Sequence, residues 1–160
     1  MNDKIVILCS GESFTSIIYN SLCDQYDIDK VIIEKPIKKS WIIRRRLKKI
    51  GFFKLMGQIL FRVLIVNLLI YTSRNRVNQI MRSFSLDNSN INKKKIINVS
   101  SINSEDSIDL LMKINPKILI VFGTRIISKK VLKKIPGKFI NIHAGITPKY
   151  RGVYGAYWAL

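Results

Sequence analysis

Lys4-Ile5-Val6-Ile7-Leu8-Cys9 leads into Ser10-Gly11-Glu12-Ser13, and Phe14 to Leu22 then carries apolar residues at Phe14, Ile17, Ile18 and Leu22. The first run is of strand length and has no polar interruption, as a parallel strand buried on both faces requires. The second is a turn with a glycine, and the third has helical spacing. Strand, glycine turn, helix is the opening unit of an open α/β sheet of the nucleotide-binding type. The turn lacks the full Gly-x-Gly-x-x-Gly pattern, so it does not by itself announce a phosphate cradle. Further strands are expected at Asp29–Glu34, closed by Pro36, and at Lys95–Val99, Ile118–Phe122 and Phe139–Ile142. Asn103 or Ser104 is placed to cap a helix with acidic residues in its first turn, Ile108, Leu111 and Met112 as its buried stripe, and Pro116 at its end. Ser128 is placed to cap a shorter helix with Val131, Leu132 and Ile135 on one side, stopped by Pro136-Gly137. The expected fold is therefore α/β: a Rossmann-like open, mostly parallel sheet with flanking helices.

The chain has 160 residues, a length that suits one domain, and its 48% hydrophobic content is enough for a packed core. The net charge of +18 is large for this size. It favours polyanionic partners such as nucleic acid, anionic lipid or phosphorylated ligands, and a Lys-, Ile- and Asn-rich coding bias is the competing source of the lysines. Cys9 and Cys23 have neither metal nor redox spacing, and Cys9, inside an apolar run, reads as a small buried hydrophobe. No metal is expected. With no disulfide framework and no secretory pattern at Met1, the expected location is cytoplasmic, with peripheral membrane contact as the variant.

Residues 35–95 read as an insertion. Arg44-Arg45-Arg46-Leu47-Lys48-Lys49 is a basic cluster, and Phe52 to Tyr71 is strongly apolar. Lys54, Gln58 and Arg62 fall at i, i+4 and i+8, one stripe of a helix, and charges so close to the middle count against a spanning segment. The favoured expectation is a core or lid helix inserted into the fold, or an oligomer contact. The alternative is an amphipathic segment, residues 41–71, on an anionic membrane. Thr72 to Lys95 reads as polar connection, with a loop at Ser85–Asn90.

Chemistry is concentrated in Phe139-Ile140-Asn141-Ile142-His143-Ala144-Gly145-Ile146-Thr147-Pro148-Lys149-Tyr150-Arg151-Gly152, which holds the chain's one histidine. On a strand, Asn141 and His143 share a face. A carboxamide can donate to a developing oxyanion and an imidazole can move a proton near neutral pH, so together they suit acyl or formyl transfer. An Asn-x-His pair alone also suits a strand end with no chemistry. Tyr150, Tyr154, Tyr157 and Trp158 recur at helix-like spacing and read chiefly as packing, with base stacking as the alternative.

Asn141 to Pro148 with Arg151-Gly152, together with Pro116 to Ile127, resembles the folate-dependent formyltransferases. That group includes glycinamide ribonucleotide, methionyl-tRNA and nucleotide-sugar formyltransferases. The likeness is specific over Asn115–Leu160, moderate over Asn2–Glu34 and loose between. Gly145 stands where the family usually has Ser, and Glu12 departs from the Gly-rich turn of the ribonucleotide enzymes. The resemblance implies formyl transfer from 10-formyltetrahydrofolate to a primary amine, with Asn141 and His143 catalytic. It places the donor on Gly123, Thr124, Arg125, Ile126 and Ile127, with a solvent-facing role as the other reading of Arg125. It places the acceptor on Gly11, Glu12, Ser13, Gly145, Ile146, Thr147 and Pro148. The family's catalytic Asp lies a few dozen residues past the Asn-x-His loop, so the expectation is a domain, 1–160, whose C-terminal part is missing. The acceptor expected is a small-molecule amine, an amino sugar or its nucleotide-linked form, ahead of glycinamide ribonucleotide and methionyl-tRNA. A truncated, non-catalytic fragment that binds folate or a nucleotide is the alternative, and a homo-oligomer is admitted.

Overall fold

The computed structural model describes residues 4–11, 14–143, 145 and 149. Five parallel strands form one sheet: β1 (Ile5–Ser10), β2 (Ile28–Glu34), β3 (Ile96–Val99), β4 (Ile118–Phe122) and β5 (Lys138–Asn141), in the order β3-β2-β1-β4-β5. The uninterrupted apolar run makes β1 the central strand, because only a strand covered on both faces gains from being apolar at every position. Its alternate residues part to opposite faces. Val6 and Leu8 join Ile32, Leu119 and Val121 on one face, under Ile108 and Leu111 of helix Glu105–Ile114 and Val131 of helix Lys129–Lys134. Ile5, Ile7 and Cys9 join Ile28, Val31 and Ile33 on the other, against Ile18, Tyr19 and Leu22 of helix Thr15–Cys23. Each fully buried aliphatic side chain contributes about 1.5–3 kcal/mol, so the two layers, not local propensity, hold the sheet.

The two caps form as expected. Ser104 Oγ accepts from Ser107 N at 3.4 Å, and Ser128 Oγ from Val131 N at 3.3 Å. The two stripes are narrower than expected: Met112 is 51% exposed and Leu132 47%. Ser107 is buried where Met112 is not, its hydroxyl donating to Ser101 O at 2.7 Å so that the buried polar group is satisfied. Helix Glu105–Ile114 ends at Asn115, which is left-handed at φ 51°, one residue before Pro116. Glu105 pairs with Lys130 and Lys134 of the neighbouring helix, and the Lys130 bond holds the Glu105 carboxyl below its usual range.

Gly137 sets the last strand against its neighbour. A Cβ there would lie 2.4 Å from Pro116 O and 2.5 Å from Leu119 Cδ1, so no larger residue fits without movement. The close approach lets Lys138 N donate to Lys117 O at 2.8 Å, which opens the β4–β5 ladder.

Pro36–Asp87 forms a second compact unit. Lys39–Ile50 is helical, Gly51 at φ 78° breaks it, and a 21-residue helix runs Phe52–Thr72 with a π-turn at Arg62–Val66. Helix Arg74–Ser83 follows, inside the stretch expected to be polar connection, because Asn and Arg residues dilute its Val77, Ile80 and Met81 stripe. The sequence suggested a core or lid helix, or an oligomer contact, and the helix is not packed as a core helix. Of its residues only Leu55 is buried, and Phe53 is 84% exposed.

Candidate functional site

Parallel strands all leave the sheet at one edge, and where the order reverses, adjacent loops turn away from each other and leave a crevice. Here the reversal lies between β1 and β4. Cys9 pairs with Phe122, and Val121 with Asn141, so Gly11, Gly123 and Asn141 sit at three neighbouring strand exits, each step about 4.8 Å. Of the residues expected for acceptor, donor and catalysis, Gly11, Gly123 and Asn141 therefore meet at the edge that the fold offers to a ligand. Both glycines at the crevice have positive φ, Gly11 at 90° and Gly123 at 64°. A side chain at either would strain the turn. Thr15 Oγ1 donates to Gly11 O at 2.6 Å and fastens the first turn to the helix behind it.

The five residues expected to hold the donor divide into two groups. Gly123 and Thr124 stand on the crevice edge, and Ile126 is 92% exposed, an apolar side chain presented outward from the loop. Ile127 points the other way and packs on the core. Arg125, its side chain a third exposed, turns its guanidinium to the fold. Its Nε donates to Glu34 Oε1 at 2.9 Å, and its Nη2 donates to Lys35 O at 3.0 Å and Ser100 O at 3.3 Å. The physical reason is Glu34, a carboxylate only 1% exposed at the end of β2. A buried charge needs a full set of donors, and it collects Ile102 N at 2.9 Å, Arg125 N at 3.2 Å and the Arg125 guanidinium.

Asn103 completes the back of this loop. Its carboxamide donates to Ile126 O at 3.0 Å and accepts from Ser128 N at 2.8 Å. Segment 123–128 is thus pinned from behind by Glu34 and Asn103, with Gly123 and the Ile126 side chain left exposed. Neither pinning residue was foreseen as part of the site. The available signal was the lone carboxylate ending the apolar run Val31-Ile32-Ile33.

Asn141 is the last residue of β5, and His143 lies beyond it. The ladder carries on for one residue, Ile142 N donating to Val121 O at 2.9 Å, so the shared-face expectation for Asn141 and His143 is not a property of the strand itself. What orients His143 is its own loop: Gly145 N donates to His143 Nδ1 at 2.9 Å. An accepting Nδ1 assigns the proton of the neutral ring to Nε2. The same bond engages Gly145, one of the residues expected to meet the acceptor. Glu12, Ser13, Ile146, Thr147 and Pro148, and the aromatic residues Tyr150, Tyr154, Tyr157 and Trp158, lie outside the described residues. Among the described residues no three His, Cys, Asp or Glu side chains are grouped to hold a metal ion.

The sequence model of the family described as formyl transferase matches residues 63–160. Methionyl-tRNA formyltransferase of Finegoldia magna is 41% identical over 58 residues, 36% of this chain and 19% of that protein. The fold is similar to the crystal structure of phosphoribosylglycinamide formyltransferase from Anaplasma phagocytophilum, with a TM-score of 0.52 at 13% identity, covering 99% of this chain and 58% of the other. The chain thus spans under two thirds of the solved relative, and its match to the curated one covers about a fifth of that protein's length.

Proposed function

Because the chain belongs to the formyl transferase family, we propose that it carries the donor half and the oxyanion donors of a formyl transfer from 10-formyltetrahydrofolate to a primary amine. The observation that carries this reading is the alignment of Gly11, the Gly123–Ser128 loop and Asn141 at neighbouring strand exits around the switch point. The donor side fits a flat, partly apolar group. Gly123 keeps its backbone open, Ile126 offers an apolar surface, and Glu34 and Asn103 hold the loop rigid. The folate supplies an N-bound formyl group. Asn141 donates its NH2 to the formyl oxygen as negative charge gathers there. The amine attacks the formyl carbon, and the bond from that carbon to the folate nitrogen breaks as the amine's proton passes to that nitrogen; His143, its ring held by Gly145 N, donates from Nε2 to the oxyanion.

The acceptor we assign is an amino sugar, free or nucleotide-linked. Support comes from charge: a +18 chain favours a phosphate-bearing substrate. A second reading, methionyl-tRNA as acceptor, draws on the 41% identical segment. Salt separates the two, since binding to tRNA falls steeply with ionic strength while a small acceptor loses little.

The test is transfer from 10-formyltetrahydrofolate to a panel of nucleotide-linked amino sugars, followed by mass. Formylated sugar is the expected product. Asn141→Ala should lower the rate on the order of a hundredfold, the effect of losing one oxyanion donor. Folate binding with no product from any amine would replace this reading with a binding role.

A further inference from the structure

Helix Phe52–Thr72 is long and apolar enough to cross a membrane, with a mean hydropathy of 1.8, and only 6% of it is buried. Its polar groups decide how such a helix meets a bilayer. Lys54, Gln58 and Arg62 follow each other every four residues. On an unbroken α-helix Asn67 would fall off that row, since the next place is residue 66. The π-turn at Arg62–Val66 takes up one extra residue, so Asn67 occupies the next place and Tyr71 the one after. Lys54, Gln58, Arg62, Asn67 and Tyr71 therefore form one continuous polar row along the helix. Phe53, Leu60 and Leu68, all exposed, lie away from it. Thr72 lies off the row but is satisfied locally, donating to Leu68 O at 3.0 Å.

Charge says what covers the apolar side. Between Pro36 and Leu86 there are twelve Lys and Arg residues and no Asp or Glu. Arg46 Nη1 reaches Gln58 Oε1 at 3.5 Å across the Gly51 break, so the basic helix lies on the polar-row side. Aromatic and cationic groups pair near both ends: the Arg45 guanidinium is 5.3 Å from the Trp41 ring, and that of Arg74 is 5.4 Å from Tyr71. Trp and Tyr with Arg partners suit the headgroup boundary, where one side of the ring is apolar and the other wet. A second copy is a poor cover, since it would bring the same dozen positive charges to the contact. Spanning is disfavoured as well, because a mid-helix arginine costs a hundredfold or more in insertion equilibrium.

We propose that Pro36–Asp87 is a monotopic membrane anchor. Phe52–Thr72 lies in the plane of an anionic leaflet with its apolar side in the acyl boundary, and the arginines and lysines before and after it contact lipid phosphates.

Flotation of the whole chain with phosphatidylcholine vesicles, with and without phosphatidylglycerol, tests this. Expected is strong binding only where phosphatidylglycerol is present, and release by an alkaline wash. Replacing Arg44, Arg45 and Arg46 by Gln should weaken binding on the order of a hundredfold, about fivefold for each charge. Leu60→Glu with Leu68→Glu should abolish it while circular dichroism and the urea midpoint stay unchanged. Equal binding to both vesicle types, or none, overturns the proposal. Resistance to the alkaline wash overturns it in favour of a spanning helix. A lipid-free dimer broken by the same Glu substitutions overturns it in favour of self-association.

Discussion

Glu34 does more for the candidate site than its place in the sequence announces. One oxygen accepts from Ile102 N and the Arg125 guanidinium, and the other accepts from Arg125 N. Glu34→Gln keeps the shape but removes the charge and turns one acceptor into a donor facing Arg125 donors. Breaking a buried pair costs about 3–5 kcal/mol, and the Arg125 side chain is a third exposed, so about 2–3 kcal/mol is expected here. A fall in the urea midpoint at constant slope checks it, and weaker folate binding should accompany it, because the 123–128 loop loses its support. Cys9 supplies a second residue-scale prediction. Burial pushes its thiol above the usual range, an effect partly offset by the Thr15 hydrogen bond. The folded value is the higher one, so the neutral thiol's contribution is whole below the ordinary thiol range and is lost as pH climbs through the raised value. The alkaline fall in stability should therefore flatten in Cys9→Ala, read from urea midpoints at neutral and alkaline pH. Iodoacetamide should label exposed Cys23 and spare Cys9 until the chain unfolds.

At the scale of elements, the tightest requirement is the turn into β5. Gly137→Ala places a methyl within 2.5 Å of a backbone oxygen and of Leu119 Cδ1, so β5 must shift away from β4. A cost of about 1–3 kcal/mol is expected, together with a lower formyl-transfer rate, because Asn141 rides on the end of that strand. An unchanged melting temperature would mean that the turn has more room than the geometry gives it. Strands and caps were readable because their signals are local: an apolar run of fixed length, a Ser three residues before the amide it caps. Met112 and Leu132 were misplaced because periodicity gives a face and not its width. The width depends on how closely the next helix packs, and Ser107, satisfied by Ser101 O, is buried while Met112 is not. Helix Arg74–Ser83 escaped notice for the opposite reason, since three apolar residues among arginines and asparagines do not rise above a polar background.

For the whole molecule, the two units divide the charge unevenly. Pro36–Asp87 holds twelve of the 28 basic residues and, in Asp87, one of the ten acidic ones. Attraction of such a unit to an anionic surface is screened within about 8–10 Å at physiological salt, so association should weaken as salt rises. The apolar side of Phe52–Thr72 does not respond to salt in that way. A residual, salt-resistant fraction on anionic vesicles is therefore expected for the native chain and should disappear in Leu60→Glu with Leu68→Glu. Complete release by salt alone would mean that the helix stays out of the acyl boundary.

The sequence by itself determined the α/β class, the strands, the two serine caps and the family-like residues Asn141, His143 and Gly123. Each rests on a local pattern: period two, period 3.6, or a short motif. Only the tertiary structure decided that Arg125 belongs to Glu34, 91 residues away, that Asn103 pins the loop carrying Ile126, and that His143 is oriented by Gly145. It also decided that one π-turn keeps five polar residues in a single row. These depend on which strands become neighbours and on one extra residue in a helical turn. A buried carboxylate takes its partners from whatever the fold brings beside it, and sequence spacing does not encode that choice.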